Sequence, residues 1–296
     1  MILMKLKESP VPKASYHLIH PSNRNTSVIF ASPHSGRDYS WNFLRRTVLD
    51  ELTIRSSEDA FVDRLFDSAP DHGAVFLKAG APRAFVDLNR AADELDPALI
   101  DGVPKRSNNP RIATGLGVIP RVVANGRSIY HGKMDMGEVR ERLDVYWRPY
   151  HTTLRRLISE NHTRFGQAVL IDCHSMPHEA VAPMSKTSNG MPDIVIGDRF
   201  GASASAEIVD RIESIFADAG FKVSRNAPFA GAYIVRQYGR PSMNQHAIQI
   251  EIDRSIYMDE ALVKPNGNFA VVRAMLKNVT RQIADIGRAQ NALAAE

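Results

Sequence analysis

The stretch "VLIDCHSMP", Val169 to Pro177, sets a cysteine and a histidine side by side at the end of an apolar run. A continuous apolar segment of this length suits a strand covered on both faces. Side chains alternate along a strand, so Cys173 faces away from His174 while Asp172 shares its side. Neighbourhood in the chain therefore argues against a cysteine–histidine pair. Cys173 reads as a small buried residue, and Asp172 as a carboxylate that could orient His174 through its second ring nitrogen.

Further β-rich runs flank this one: "SVIFAS" (27–32), "AVFL" (74–77), "RAFVDL" (83–88), "DIVIG" (193–197), "FKVS" (221–224) and "HAIQIEI" (246–252). Helical patterns lie between them. Val272, Leu276, Val279, Ile283 and Ile286 form one stripe. A second helix starts near Ser203 to Ser205 and stops at Gly220, and a third runs from Val139 to Leu157 with Pro149 expected to kink or interrupt it. Strands alternating with helices predict an α/β sheet with helices on its faces, parallel or mixed. Without repeats or linkers, the 296 residues are read as one domain, 1–296.

Composition excludes several classes. The chain is 44% hydrophobic and 24% charged, with 37 basic against 33 acidic residues, a net charge of +4 and no basic block, so a nucleic-acid partner is not expected. The weak basic excess suits a small anionic substrate as well as a solvated surface. The opening "MILMKLKESP" is too short in apolar residues for a leader, and no run approaches the ~18 of a membrane span. A single cysteine allows no internal disulfide, and a cytoplasmic setting is expected.

In α/β sheets ligands bind beyond the carboxyl ends of strands. "SVIFAS" is followed by Pro33-His34-Ser35-Gly36, and "VLIDC" by His174-Ser175. A strand-end histidine alone is more often a hydrogen-bonded structural residue. "SSEDAF" adds Glu58 and Asp59 before a helical pattern; two imidazoles and one such carboxylate match the three-ligand set of a hydrolytic zinc site with an open position for water. In "HAIQIEID" Glu251 lies on the polar face of a strand between isoleucines; that face is either solvent-exposed or turned into a site where Glu251 could move a proton. Arg83, Asn89 and Arg90 surround "RAFVDL", and "GAYIVRQYGRP" supplies Arg236 and Arg240 as further carboxylate partners. "TGLG" lacks the spacing of a nucleotide loop and reads as a loop near the site.

Taken in order from Phe30 to Glu260, the blocks "SPHSG", "SSEDAFVDRL", "RAFVDLNR", "YWRPYH", "DCHSMP", "DIVIGDRFG", "FAGAYIVRQYG" and "HAIQIEIDRSIYMDE" resemble the N-formylglutamate amidohydrolase (N-formylglutamate deformylase) family. The resemblance implies a three-layer α/β/α fold with a central mixed, largely parallel sheet, zinc-carboxypeptidase-like. It further implies zinc-dependent hydrolysis of N-formyl-L-glutamate to glutamate and formate, in histidine breakdown. On that basis His34, Asp59 and His174 would hold one zinc ion, with Glu58 the alternative to Asp59. Glu251 would be the general base; Arg83, Asn89, Arg90 and Arg236 would bind a small anionic N-acyl amino acid. Carboxypeptidases carry a glutamate three residues after the first histidine, and here that position is Arg37. Rival readings are an amidohydrolase for another N-acyl amino acid or small peptide, and a noncatalytic metal-stabilised binding protein. Oligomeric state is not legible.

Overall fold

The computed structural model describes residues 9–104, 109–123, 126–186 and 190–288. Most of the expected leader-free opening, 1–8, lies outside them. Seven strands form one sheet: β1 Tyr16–Ile19, β2 Val28–Ser32, β3 Val75–Ala79, β4 Ala168–Met176, β5 Ile194–Gly197, β6 Val223–Arg225 and β7 Gln245–Asp253, in the order β1-β3-β2-β4-β7-β5-β6. β3, β2, β4 and β7 are mutually parallel; β1 runs against β3 and β5 against β7, while β6 is parallel to β5. The sheet is therefore mixed and largely parallel.

Its two faces bury different side chains of the same strands. Ile29, Ala31, Leu170 and Ala247 pack on the layer containing the helices Arg148–Phe165 and Tyr233–Tyr238. Val28, Phe30, Val169, Ile171, Cys173, Ile248, Ile250 and Ile252 pack on the helices Ala206–Asp218 and Phe269–Ile286. Two-sided burial explains why β2, β4 and β7 read as apolar runs rather than alternations. The stripe from Val272 to Ile286 is buried on the last of these helices, and the Ala206–Asp218 helix starts directly after Ser205, as expected. The helix around Pro149 is interrupted by a π-helical turn, Leu143–Trp147, before Arg148–Phe165 resumes. Proline lacks the N–H that would close a regular turn, and its ring crowds the carbonyl four residues back.

Three local expectations need correction. "RAFVDL" is not a strand: Phe85 and Val86 both donate to the Pro82 carbonyl, and Asp87 donates to Val118, so the segment turns over the sheet instead of joining it. β4 continues through Met176, so His174 sits within the strand rather than after it. β1 was missed because a four-residue edge strand, half exposed on alternate residues, has little apolar signal.

Candidate active site

Parallel register brings the chemistry of β4 and β7 together. Asp172 pairs with Gln249 and His174 with Glu251, so all four side chains fall on one face, while Cys173 and Ile250 take the other. β7 is interior, which places Glu251 inside the protein and not on a solvent-facing edge. Cys173 is wholly buried and burial pushes its thiol well above the usual range, as expected of a structural residue.

His34 follows β2, next to β4. Its Nε2 lies 2.7 Å from Asp87 Oδ1, and His174 Nε2 lies 3.0 Å from Asp172 Oδ2. Each imidazole thus directs its outer nitrogen at a carboxylate and its Nδ1 inward. There Asp59 Oδ2 stands 2.9 Å from His174 Nδ1 and 3.5 Å from His34 Nδ1. The backbone sets Asp59 in place by donating from its N–H to the His34 carbonyl, and Arg254 Nη2 takes its other oxygen at 3.0 Å. Arg254 is itself held by Ser175 Oγ and the Ser56 carbonyl.

This arrangement could hold a cation. With an ion bound, each Nε2–H would donate to its carboxylate, leaving the two Nδ1 lone pairs and an Asp59 oxygen to face one another in a buried space. Among the described residues His34 Nδ1 makes no hydrogen bond, with Asp59 Oδ2 3.5 Å away. One ligand atom from each of His34, Asp59 and His174 lies within 4.8 Å of the other two. Tetrahedral ligands ~2.0–2.1 Å from a divalent ion stand ~3.3 Å apart, so the donor set fits one with small adjustments. Without an ion, the nearby carboxylates Asp172 and Asp59 outweigh burial and raise His174 well above the usual imidazole range. Asp59 and Asp87, though buried, are drawn well below theirs by the imidazoles, with Arg83 helping at Asp87.

Glu58 points elsewhere. It accepts from Arg55 Nε at 3.0 Å and from Tyr39 at 3.2 Å, and takes no part in the cluster. Glu251 accepts from Gln249 Nε2 at 2.8 Å, while Gln249 Oε1 accepts from the Ala232 N–H at 3.0 Å. Burial is the main reason its carboxyl is raised to about 7, with His174 opposing.

His34, Asp59, His174, Gln249, Glu251 and Arg254 line a cavity of about 760 Å³. Arg83 reaches it while its Nε bonds Asp87 at 3.1 Å, and Arg90 does so while bonding the Leu116 and Asn89 carbonyls. Asn89 also lines it: its Oδ1 accepts from the Ile234 N–H at 2.7 Å and its Nδ2 donates to Asp172 Oδ2 at 3.4 Å. Arg236 is not brought to the cavity; its short helix buries Ile234, Val235 and Tyr238, which turns position 236 to solvent over the Tyr233 ring. Arg240 is exposed as well. The "TGLG" loop does border the site, through Thr114 and Leu116. Reading the sequence missed Asp87, Gln249, Arg254, Arg111 and Arg199. Asp87 and Arg254 had weak signals, as polar residues beside "LNR" and directly after "QIEID".

Fold and site together define a class: hydrolases of the three-layer α/β/α type whose sheet carries a cation-ready imidazole–carboxylate cluster beside a strand-borne glutamate. Comparison with known proteins narrows this. The family model described as N-formylglutamate amidohydrolase matches residues 26–258. The chain is 32% identical over 240 residues to the N-formylglutamate deformylase of Pseudomonas putida, covering 79% of this chain and 82% of that protein. The Pseudomonas aeruginosa N-formylglutamate deformylase is equally similar, 32% over 241 residues with the same coverage. The crystal structure of N-formylglutamate amidohydrolase from Ralstonia eutropha JMP134 superposes with a TM-score of 0.85 at 32% identity, over 92% of this chain and 98% of that one. The Agrobacterium tumefaciens gene product Atu2144, at TM-score 0.58 and 16% identity over 93% of this chain and 96% of that one, shares the fold. The chain belongs to the N-formylglutamate amidohydrolase family.

Among the described residues no helix is long and apolar enough to cross a membrane.

Proposed function

We propose that this chain hydrolyses the formyl amide of N-formyl-L-glutamate to glutamate and formate, using one zinc ion held by His34, Asp59 and His174. The observation that supports this most directly is the inward convergence of His34 Nδ1, Asp59 Oδ2 and His174 Nδ1 in the register row that carries Glu251. Two related deformylases named for that substrate add to it. When bound there, zinc supplies Lewis-acid polarisation of the formyl carbonyl and a water of lowered pKa.

The chain's own residues do the rest. Asp87 and Asp172 hold the imidazole tautomers, and Arg254 holds the rotamer of Asp59. Glu251 accepts a proton from the attacking water as the new C–O bond forms, then delivers it to the amine nitrogen as the C–N bond breaks. A carboxyl raised to about 7 is matched to both halves of that task. The Arg83 terminal nitrogens take no partner among the described residues, and Arg90 keeps one terminal nitrogen unused; both are placed to hold carboxylate. The substrate is a small anion, the whole chain one amidohydrolase domain, and the setting cytoplasmic, in keeping with a buried lone thiol.

Chelation followed by metal analysis tests the reading. The metal-free protein should lose deformylase activity and regain it with one equivalent of zinc, and Glu251→Gln should bind zinc with kcat reduced at least ~100-fold. Full activity in protein verified to lack metal would refute it.

A further inference from the structure

The loop after β5 holds two consecutive residues, Arg199 (φ 54°) and Phe200 (φ 56°), in the left-handed region that side chains bearing Cβ seldom adopt. The strain is enforced by a dedicated clamp. Asn226 Oδ1 accepts from the N–H groups of Asp198 and Phe200, and its Nδ2 donates to Asp198 Oδ1 at 2.6 Å. Asp198 Oδ2 in turn accepts from the Gly201 N–H. Packing does not explain it, because Phe200 is 80% exposed and buries almost nothing. What the conformation accomplishes is to aim Arg199. Its N–H bonds the Ala230 carbonyl at 2.9 Å, its side chain passes over Gly231, and it lines the cavity that holds His34, His174 and Glu251. The guanidinium has no hydrogen-bond partner among the described residues, whereas Arg83 and Arg254 are tied to Asp87 and Asp59.

Position sharpens the role. β5 lies on the far side of β7 from β4, and Val195 pairs with Glu251 across that edge. β5 runs antiparallel to β7 and Gly197 pairs with Gln249, so Arg199 reaches the cavity from the β5 flank beside the Gln249 end of β7, at least two strand spacings or ~10 Å from β4. An amino acid whose formyl carbon lies at the histidine cluster extends its distal carboxylate roughly 6 to 7 Å, towards that flank. We propose that Arg199 is the specificity-determining residue that receives the side-chain carboxylate of the substrate and selects acidic from neutral N-formyl amino acids. The assignment rests on the deformylase reading above, and strain held at a binding residue is where such strain is commonly found.

The test compares zinc-loaded wild type, Arg199→Gln and Arg199→Gly on N-formylglutamate and its near-isostere N-formylglutamine. The wild type should prefer the acid. In both variants the ratio of kcat/KM values, acid to amide, should fall roughly 30-fold or more, mainly through KM. Arg199→Gly relieves the left-handed strain, so its Tm should equal or exceed that of the wild type, separating a selected side chain from a structural one. An unchanged ratio with both compounds turned over would overturn the proposal. If the wild type hydrolyses neither, the deformylase reading fails on its own. Calorimetric binding of glutamate against glutamine then decides Arg199: a preference for glutamate lost in both variants upholds it, and equal or absent binding of glutamate overturns it.

Discussion

Glu58 and Asp59 are adjacent in the chain and have opposite surroundings. Asp59 meets two imidazoles and Arg254, whereas Glu58 is bound by Arg55 and Tyr39. Asp59→Asn should therefore abolish stoichiometric metal binding, while Glu58→Gln should retain the metal and lower stability by about 1–3 kcal/mol, through the weakened Arg55 contact. Metal analysis and urea unfolding separate the two. Asp87, bonded to His34 Nε2, acts one step further out: Asp87→Asn should weaken metal affinity ~10- to 100-fold without removing a ligand. Glu251 sets the pH response. Its carboxyl, raised to about 7 by burial, must be ionised to take a proton, so kcat/KM should fall about tenfold per pH unit on the acid side of that value. A neighbouring bound cation favours the ionised form and moves this limb to lower pH. The limb should vanish in Glu251→Gln, whatever activity remains. Residue types after apolar runs were enough to single out the histidines and Glu251. They could not orient Glu58 and Asp59, because a one-residue difference in direction depends on the path of a loop.

At the scale of elements, the Arg148–Phe165 helix and the turn before it brace the site from outside it. Trp147 Nε1 donates to the Arg90 carbonyl and His151 Nε2 bonds the Leu88 carbonyl, so two side chains grip the backbone on either side of Asn89. His151 Nδ1 meets the Tyr238 hydroxyl, and its ring packs 4.1 Å from that of Trp147. Burial lowers His151 to about 3, so it is neutral in the folded protein at every ordinary pH. The unfolded chain takes up this proton near 6.5 and the folded one only near 3. The corresponding stability is complete above 6.5 and lost progressively as pH falls towards 3. Between pH 6.5 and 4.5, urea unfolding should show wild type losing ~2–3 kcal/mol more than His151→Phe does. The variant itself should start less stable by about 1–3 kcal/mol, since the Leu88 carbonyl loses its partner. From the sequence this helix was visible as an apolar stripe with a proline interruption. Its histidine and tryptophan carried no sign of what they hold, because both partners are backbone carbonyls, Leu88 at the end of the segment misread as a strand and Arg90 just beyond it.

Across the whole molecule, the proposed ligands come from three separated stretches: the loop after β2, the loop before the Val62–Leu65 helix, and β4. An ion that binds only when these converge stabilises the fold by mass action, about 2.7 kcal/mol at a free concentration 100 times its Kd. Zinc should accordingly raise the Tm of the metal-free wild type and leave that of His34→Ala nearly unchanged in a thermal melt. The sequence by itself determined the α/β architecture, because two-sided burial of β2, β4 and β7 writes apolar runs that need no tertiary knowledge to read. It also singled out His34, His174 and Glu251, which line one cavity, and side-chain alternation put Asp172 with His174 and apart from Cys173. Only the tertiary structure decided that Asp59 and not Glu58 turns inward, that Asn89 is tied to the Ile234 N–H, and that Arg236 points to solvent. Only it brought Asp87, Arg254 and Arg199 to the same cavity. The physical reason is one of range: periodicity reports burial along a single element, whereas these placements depend on hydrogen bonds between loops far apart in the chain.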